Sequence, residues 1–106
     1  MFLPIGVTTY KYLRENDPQF DAMGMLGPTF TNKGDTIVFV NDEEVYPEDS
    51  FTTPENVIQQ GNFNIQFAEK SAPADKNRLM VKYTKVIGVY DLLKKEIINA
   101  TPCNSN

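Results

Sequence analysis

Five carboxylates crowd into eight residues of this chain: Asp42, Glu43, Glu44, Glu48 and Asp49. Carboxylates at such spacing can divide general-acid and general-base work, as in glycoside hydrolysis, or ligate a hard cation such as Ca²⁺ or Mg²⁺. The spacing does not follow the calcium loop of an EF-hand, which needs ligands at fixed positions around a central glycine. The simpler reading is a solvated acidic hairpin.

The rest of the inventory adds little chemistry. There is no histidine, which removes imidazole catalysis, most zinc sites and type 1 copper sites. The one cysteine, Cys103, can form neither an intramolecular disulfide nor a thiolate cluster. Ser50, Ser71 and Ser105 fall in expected loops or tails, without a nucleophile elbow. The six glycines are scattered and make no phosphate loop. By elimination, the chain reads as a non-enzymatic interaction or structural subunit without cofactor. A divalent-metal-dependent hydrolase built on the carboxylate cluster is an alternative.

The charge is polarised along the chain. Ten bases and fourteen acids give −4. Residues 34–69 hold eight acids and no base, whereas residues 70–106 hold seven bases against three acids. Such segments can neutralise each other within one fold or dock head to tail between copies. Net negative charge disfavours a nucleic-acid partner, although Lys70, Lys76, Arg78, Lys82, Tyr83 and Lys85 would be the residues to use. The acidic segment suggests a second alternative: a small inhibitor that binds a host or defence protein, mimicking a nucleic acid.

Residues 36–40 are β-branched or aromatic and lie between turn signals at Gly34-Asp35 and Asn41-Asp42. They predict a central strand, with a return strand over 43–46 that Pro47 confines to a sheet edge. Residues 62–69 alternate, with Phe63, Ile65 and Phe67 on one face. Residues 79–87 form the third long strand candidate, able to pair with 62–69 as a hairpin. Residues 33–42, KGDTIVFVND, resemble the strand opening of cupredoxin-type β-sandwiches over those ten residues. They carry no copper ligand, and no family is assigned on them.

Three segments carry helix signals. Residues 10–16 follow Thr9 as N-cap, and a strand over 7–13 is the competing reading. Residues 54–60 follow Thr53, with Pro54 at the first helical position. Residues 89–99 space Val89, Leu93 and Ile97 four apart. Asp17-Pro18 also reads as a helical start, and residues 24–34 as a loop. The fold expected is therefore α+β: a small, mainly antiparallel sheet of three to five strands (36–40, 43–46, 62–69, 79–87), with short helices near 10–16 and 54–60 and a C-terminal helix over 89–99.

A length of 106 residues suits a single domain, here with an extended arm over 1–8 and a frayed tail over 100–106. The arm is apolar, with Phe2, Leu3 and Ile5, and Tyr10 and Tyr12 follow it. Together with the five acids, these are the expected interaction residues. The expected partner is a protein, either copies of the chain or a larger assembly such as a virion, in a viral or phage structural or accessory role. No small-molecule substrate and no membrane are expected. The first residues lack a basic region and no long apolar run exists, so the expected location is the cytoplasm or a virion assembled there.

Overall fold

In the computed structural model, which describes residues 1–99, every regular element is a β-strand. Nine strands follow in order: β1 (Phe2–Leu13), β2 (Asp17–Asp21), β3 (Met25–Asn32), β4 (Val38–Val40), β5 (Glu43–Val45), β6 (Ser50–Thr52), β7 (Asn62–Phe67), β8 (Leu79–Asp91) and β9 (Glu96–Asn99). They build two antiparallel sheets. The larger runs β1-β8-β3-β6, with β9 also on β8, and the smaller runs β2-β7-β4-β5.

The α+β expectation is overturned: no helix occurs among the described residues. Residues 10–13 belong to β1, which pairs with β8 from Phe2↔Asp91 to Leu13↔Leu79. A ladder of that length outweighs the few tenths of a kcal/mol per residue that separate local propensities. Residues 54–60 turn at Glu55-Asn56 and then run beside β3, where Ile58 bridges Leu26. Gln59 N–H donates to Met25 O (2.8 Å) and Gly27 N–H to Val57 O (3.2 Å). Thr53, expected to cap a helix, donates its hydroxyl to Pro28 O instead (2.8 Å). Residues 89–99 are the end of β8, a four-residue turn and β9, with Asp91↔Glu96 closing the hairpin. The Asp91 carboxylate accepts the N–H groups of Leu93 (3.0 Å) and Lys94 (3.3 Å), and Lys95 takes φ 55°. That turn happens to place Val89, Leu93 and Ile97 at a helical interval.

Further expectations change. Asp17-Pro18 opens β2, and the expected loop over 24–34 is mostly β3. The strand expected over 36–40 is β4, at Val38–Val40. It lies inside the smaller sheet between β7 and β5, and β8 belongs to the other sheet. Consequently β7 and β8 are not a hairpin. The Asn41-Asp42 turn does form, with both residues at positive φ (50° and 68°), as a two-residue hairpin matching strand twist requires. The expected tail, with Cys103, lies outside the described residues.

The core fills the space between the sheets. Phe30, Leu79, Val81 and Tyr83 from the larger sheet meet Phe20, Val38, Val40, Phe63, Ile65 and Phe67 from the smaller. The Phe30 ring lies 4.9 Å from Phe63, 5.9 Å from Phe51 and 6.0 Å from Phe20. These are separations at which aromatic pairs add to burial. Asn32, at 0 % exposure, ties the two layers. Its amide donates to Thr36 O (2.7 Å) and Val45 O (2.9 Å) and accepts from Gly34 N–H (2.9 Å).

Candidate interaction surface

The smaller sheet covers only part of the larger one. On β8 the buried run is Leu79, Val81 and Tyr83. β3 stops pairing with β8 at Met25↔Lys85, and β9 takes its place from Gly88 to Asp91. The far half of β8 therefore projects as a three-stranded finger between β1 and β9. It gives the molecule extents of 57 × 29 × 20 Å and a radius of gyration of 16.7 Å, against about 13 Å for a compact chain of this length.

Strand alternation sorts the finger side chains. Register places Leu3, Tyr90 and Ile97 together on one face, with Ile5 beside them. Phe2, Pro4, Val89 and Ile98 share the other face. Leu92 and Leu93 occupy the tip, Leu93 being 84 % exposed and Ile97 63 %. The first face continues the side of the larger sheet that elsewhere carries the core. It is apolar for the same reason, yet nothing in the chain's described part covers it.

Of the expected interaction residues, Phe2, Leu3, Ile5, Tyr10 and Tyr12 all lie on β1. Leu3 and Ile5 face the core side, while Phe2, Tyr10 and Tyr12 face the opposite one. Tyr12 is partly engaged: the Arg78 guanidinium sits 4.6 Å from its ring centre and its hydroxyl reaches Met80 Sδ at 3.6 Å. Sequence reasoning missed the other half of the surface, Leu92, Leu93, Ile97 and Ile98, by assigning 89–99 to a core-covering helix. The signal available was the β-branched content of 86–98.

The five acids are not one site. Asp42 sits in the turn joining β4 to β5, and Glu43 and Glu44 are successive residues of β5 that point to opposite faces. Glu48 and Asp49 lie beyond the far end of β5. There Glu48 N–H donates to Asn32 O (2.7 Å) and Asn32 N–H donates to Asp49 O (3.0 Å). Among the described residues, no three His, Cys, Asp or Glu side chains are placed to share a metal ion.

The bases are divided as well. Arg14, Lys70, Lys76 and Arg78, with Asp75 and Asn77, line an open cleft of about 430 Å³ at the end of the body away from the finger. Lys82 lines a second cleft of about 420 Å³ among Thr8, Thr29, Thr31 and Thr84 on the outer face of the larger sheet. Tyr83 is buried in the core.

No family model, curated protein or solved structure matches the chain.

Proposed function

We propose that this protein is a non-enzymatic structural or interaction subunit that joins a protein assembly through β1 and the finger. The observation that carries this reading is the finger itself. It is an ordered three-stranded extension whose two faces and tip expose Phe2, Leu3, Leu93, Ile97 and Ile98. Apolar side chains exposed on both faces and the tip of one extension are costly in water, and such exposure is characteristic of contact sites. The residue inventory supports the non-enzymatic part: the chain has no imidazole, and its densest carboxylate run is spread over a turn, two faces of β5 and the far end of the hairpin.

The test is size fractionation of the extract in which the protein is naturally made, with and without Leu3→Glu, Leu93→Glu and Ile97→Glu. The unchanged protein should migrate well above the 12.0 kDa of one chain. The triple variant should retain its β-type circular dichroism and migrate as a free chain. Migration of the unchanged protein as a single chain would refute the reading.

A further inference from the structure

We infer that the partner seated along β1 is a second copy of this chain, whose own β1 adds antiparallel to extend the larger sheet across a two-fold axis. The inference rests on the reading above and specifies its partner and geometry.

The edges of the two sheets differ. An exposed strand edge offers unpaired N–H and C=O groups to any other strand, and proteins blunt such edges by shortness, charge, proline or irregular register. β5 is three residues long, two of them Glu43 and Glu44, with Pro47 beyond it. β2 carries Asp17, Pro18 and Asp21, and its register is broken between Asp17 and Phe20. β6 has three residues and runs into Thr53-Pro54. β9 has four described residues and contains Glu96.

β1 has almost none of these protections. It runs twelve residues from Phe2 to Leu13, with Pro4 near one end and Lys11 as its one charged side chain. Its one irregularity is the register shift between Ile5 and Gly6, where β8 carries the extra residue Ile87. The outward edge of β1 is thus long, regular and apolar, which is the form an edge takes when another strand is meant to occupy it.

The dimensions and chemistry of β1 suit a copy of itself. At roughly 3.3 Å per residue the strand is about 40 Å long. Over the body the molecule is about 20 Å across, its shortest extent, and over the single-layered finger about 10 Å, so the strip is roughly 650 Å². Each partner contributes about that area at the small end of the standard interface range. The two halves of β1 differ in a complementary way: Phe2, Leu3 and Ile5 in one, Thr9, Tyr10, Tyr12 and Leu13 in the other. Antiparallel self-pairing centred on Val7 sets Phe2 across from Tyr12, Pro4 from Tyr10 and Ile5 from Thr9, and aromatic and β-branched pairs of this kind stabilise sheets. It places Lys11 opposite Leu3, so no like charges face each other.

The same arrangement flanks the bare face of the finger along its β1 edge. Leu3 and Ile5 of one copy come beside Thr9, Lys11 and Leu13 of the other, on the face over which β2 lies. There the Lys11 ammonium sits 5.9 Å from the centre of the Phe20 ring. Each copy's smaller sheet then borders the other's uncovered apolar stripe, and the contact is isologous and closed.

Light scattering on the purified chain, carried as Cys103→Ser, tests this together with two variant sets. The expected mass is twice the 12.0 kDa of one chain. Val7→Lys with Thr8→Lys brings like charges together at the axis and should weaken the dimer at least about tenfold while leaving circular dichroism unchanged. Single cysteines at Val7, Thr8 and Thr9 should yield a disulfide-linked dimer at one or more of these positions, and a control cysteine at exposed Gln66 should not. A purified protein that stays monomeric at 100 µM overturns the inference. If the protein in its native extract is nevertheless large, the reading as an interaction subunit stands with a different partner. If it is small there too, both fall. A dimer that tolerates both lysines, with no cross-link at any β1 position, places the interface elsewhere and also overturns the inference.

Discussion

Replacing Asn32 tests whether one buried amide holds the two sheets in register. Asn32 is the last residue of β3, in the larger sheet, yet its side chain is bound by residues leading into and out of the smaller one. In Asn32→Ala the carbonyls of Thr36 and Val45 lose their donor, and both residues are buried. An unsatisfied buried polar group costs about 1–3 kcal/mol, so the two carbonyls alone predict a loss of about 2–6 kcal/mol. Gly34 N–H is left out of that sum because Gly34 is only half-buried and water can replace the lost acceptor.

A loss of that size is a large part of the 5–15 kcal/mol typical of a whole domain, here as an order of magnitude. With a urea dependence of about 1–3 kcal/mol/M, the unfolding midpoint should fall by about 0.7 M or more. The assay is equilibrium urea unfolding followed by far-ultraviolet circular dichroism and tyrosine fluorescence, at one fixed protein concentration. Asn32→Leu is the informative companion, since it keeps roughly the volume but removes every side-chain hydrogen bond. It should be at least as destabilised as Asn32→Ala. If Asn32→Leu unfolds at the same urea concentration as the unchanged protein, the amide is not the tie, and the reasoning fails.

Four other outcomes follow from the same geometry. Phe30→Ala removes the ring at the centre of the aromatic cluster and should cost about 3–5 kcal/mol in the same assay. Gly34→Ala should lower the thermal midpoint although Gly34 lies in a loop, because its Cβ would run into the backbone of Lys76 and Arg78. Gly24→Ala meets open space and only a positive φ of 84°, so it should cost about 1 kcal/mol. Neutralising Asp42, Glu43 and Glu44 together as Asn, Gln and Gln should shift stability by no more than about 0.5 kcal/mol each, since all three are exposed.

The parts of the fold legible in the sequence are those decided locally. Phe63, Ile65 and Phe67 alternate with polar residues because β7 has one buried face. Asn41-Asp42 turns the chain because those side chains tolerate positive φ. Elements decided by a distant partner were not legible. Residues 10–13 are extended because β8, some seventy residues away, offers a matching ladder. Pro18 and Pro54 carry helix-start patterns, and their neighbours find bonds with β7 and β3 instead. At 89–99 the helical interval arises from a turn length, and only the pairing of β9 with β8 reveals it.

The same divide runs through the candidate site. Phe2, Leu3, Ile5, Tyr10 and Tyr12 stood out as an apolar and aromatic N-terminal stretch that needed cover. Their neighbours across the finger, Ile97 and the exposed Leu93 at its tip, were hidden by the helix pattern. The acidic run drew attention by its density in sequence, but a three-residue strand disperses it in space.

Amide hydrogen exchange along β1, measured at low and high protein concentration, tests the central claim most directly. If a second copy closes this edge, outward-facing amides within Phe2–Leu13 should exchange at least about tenfold more slowly at the higher concentration. The edges β2 and β5, protected by their own charges and proline, should exchange at one rate throughout. Exchange in β1 that is fast and independent of concentration would contradict the account.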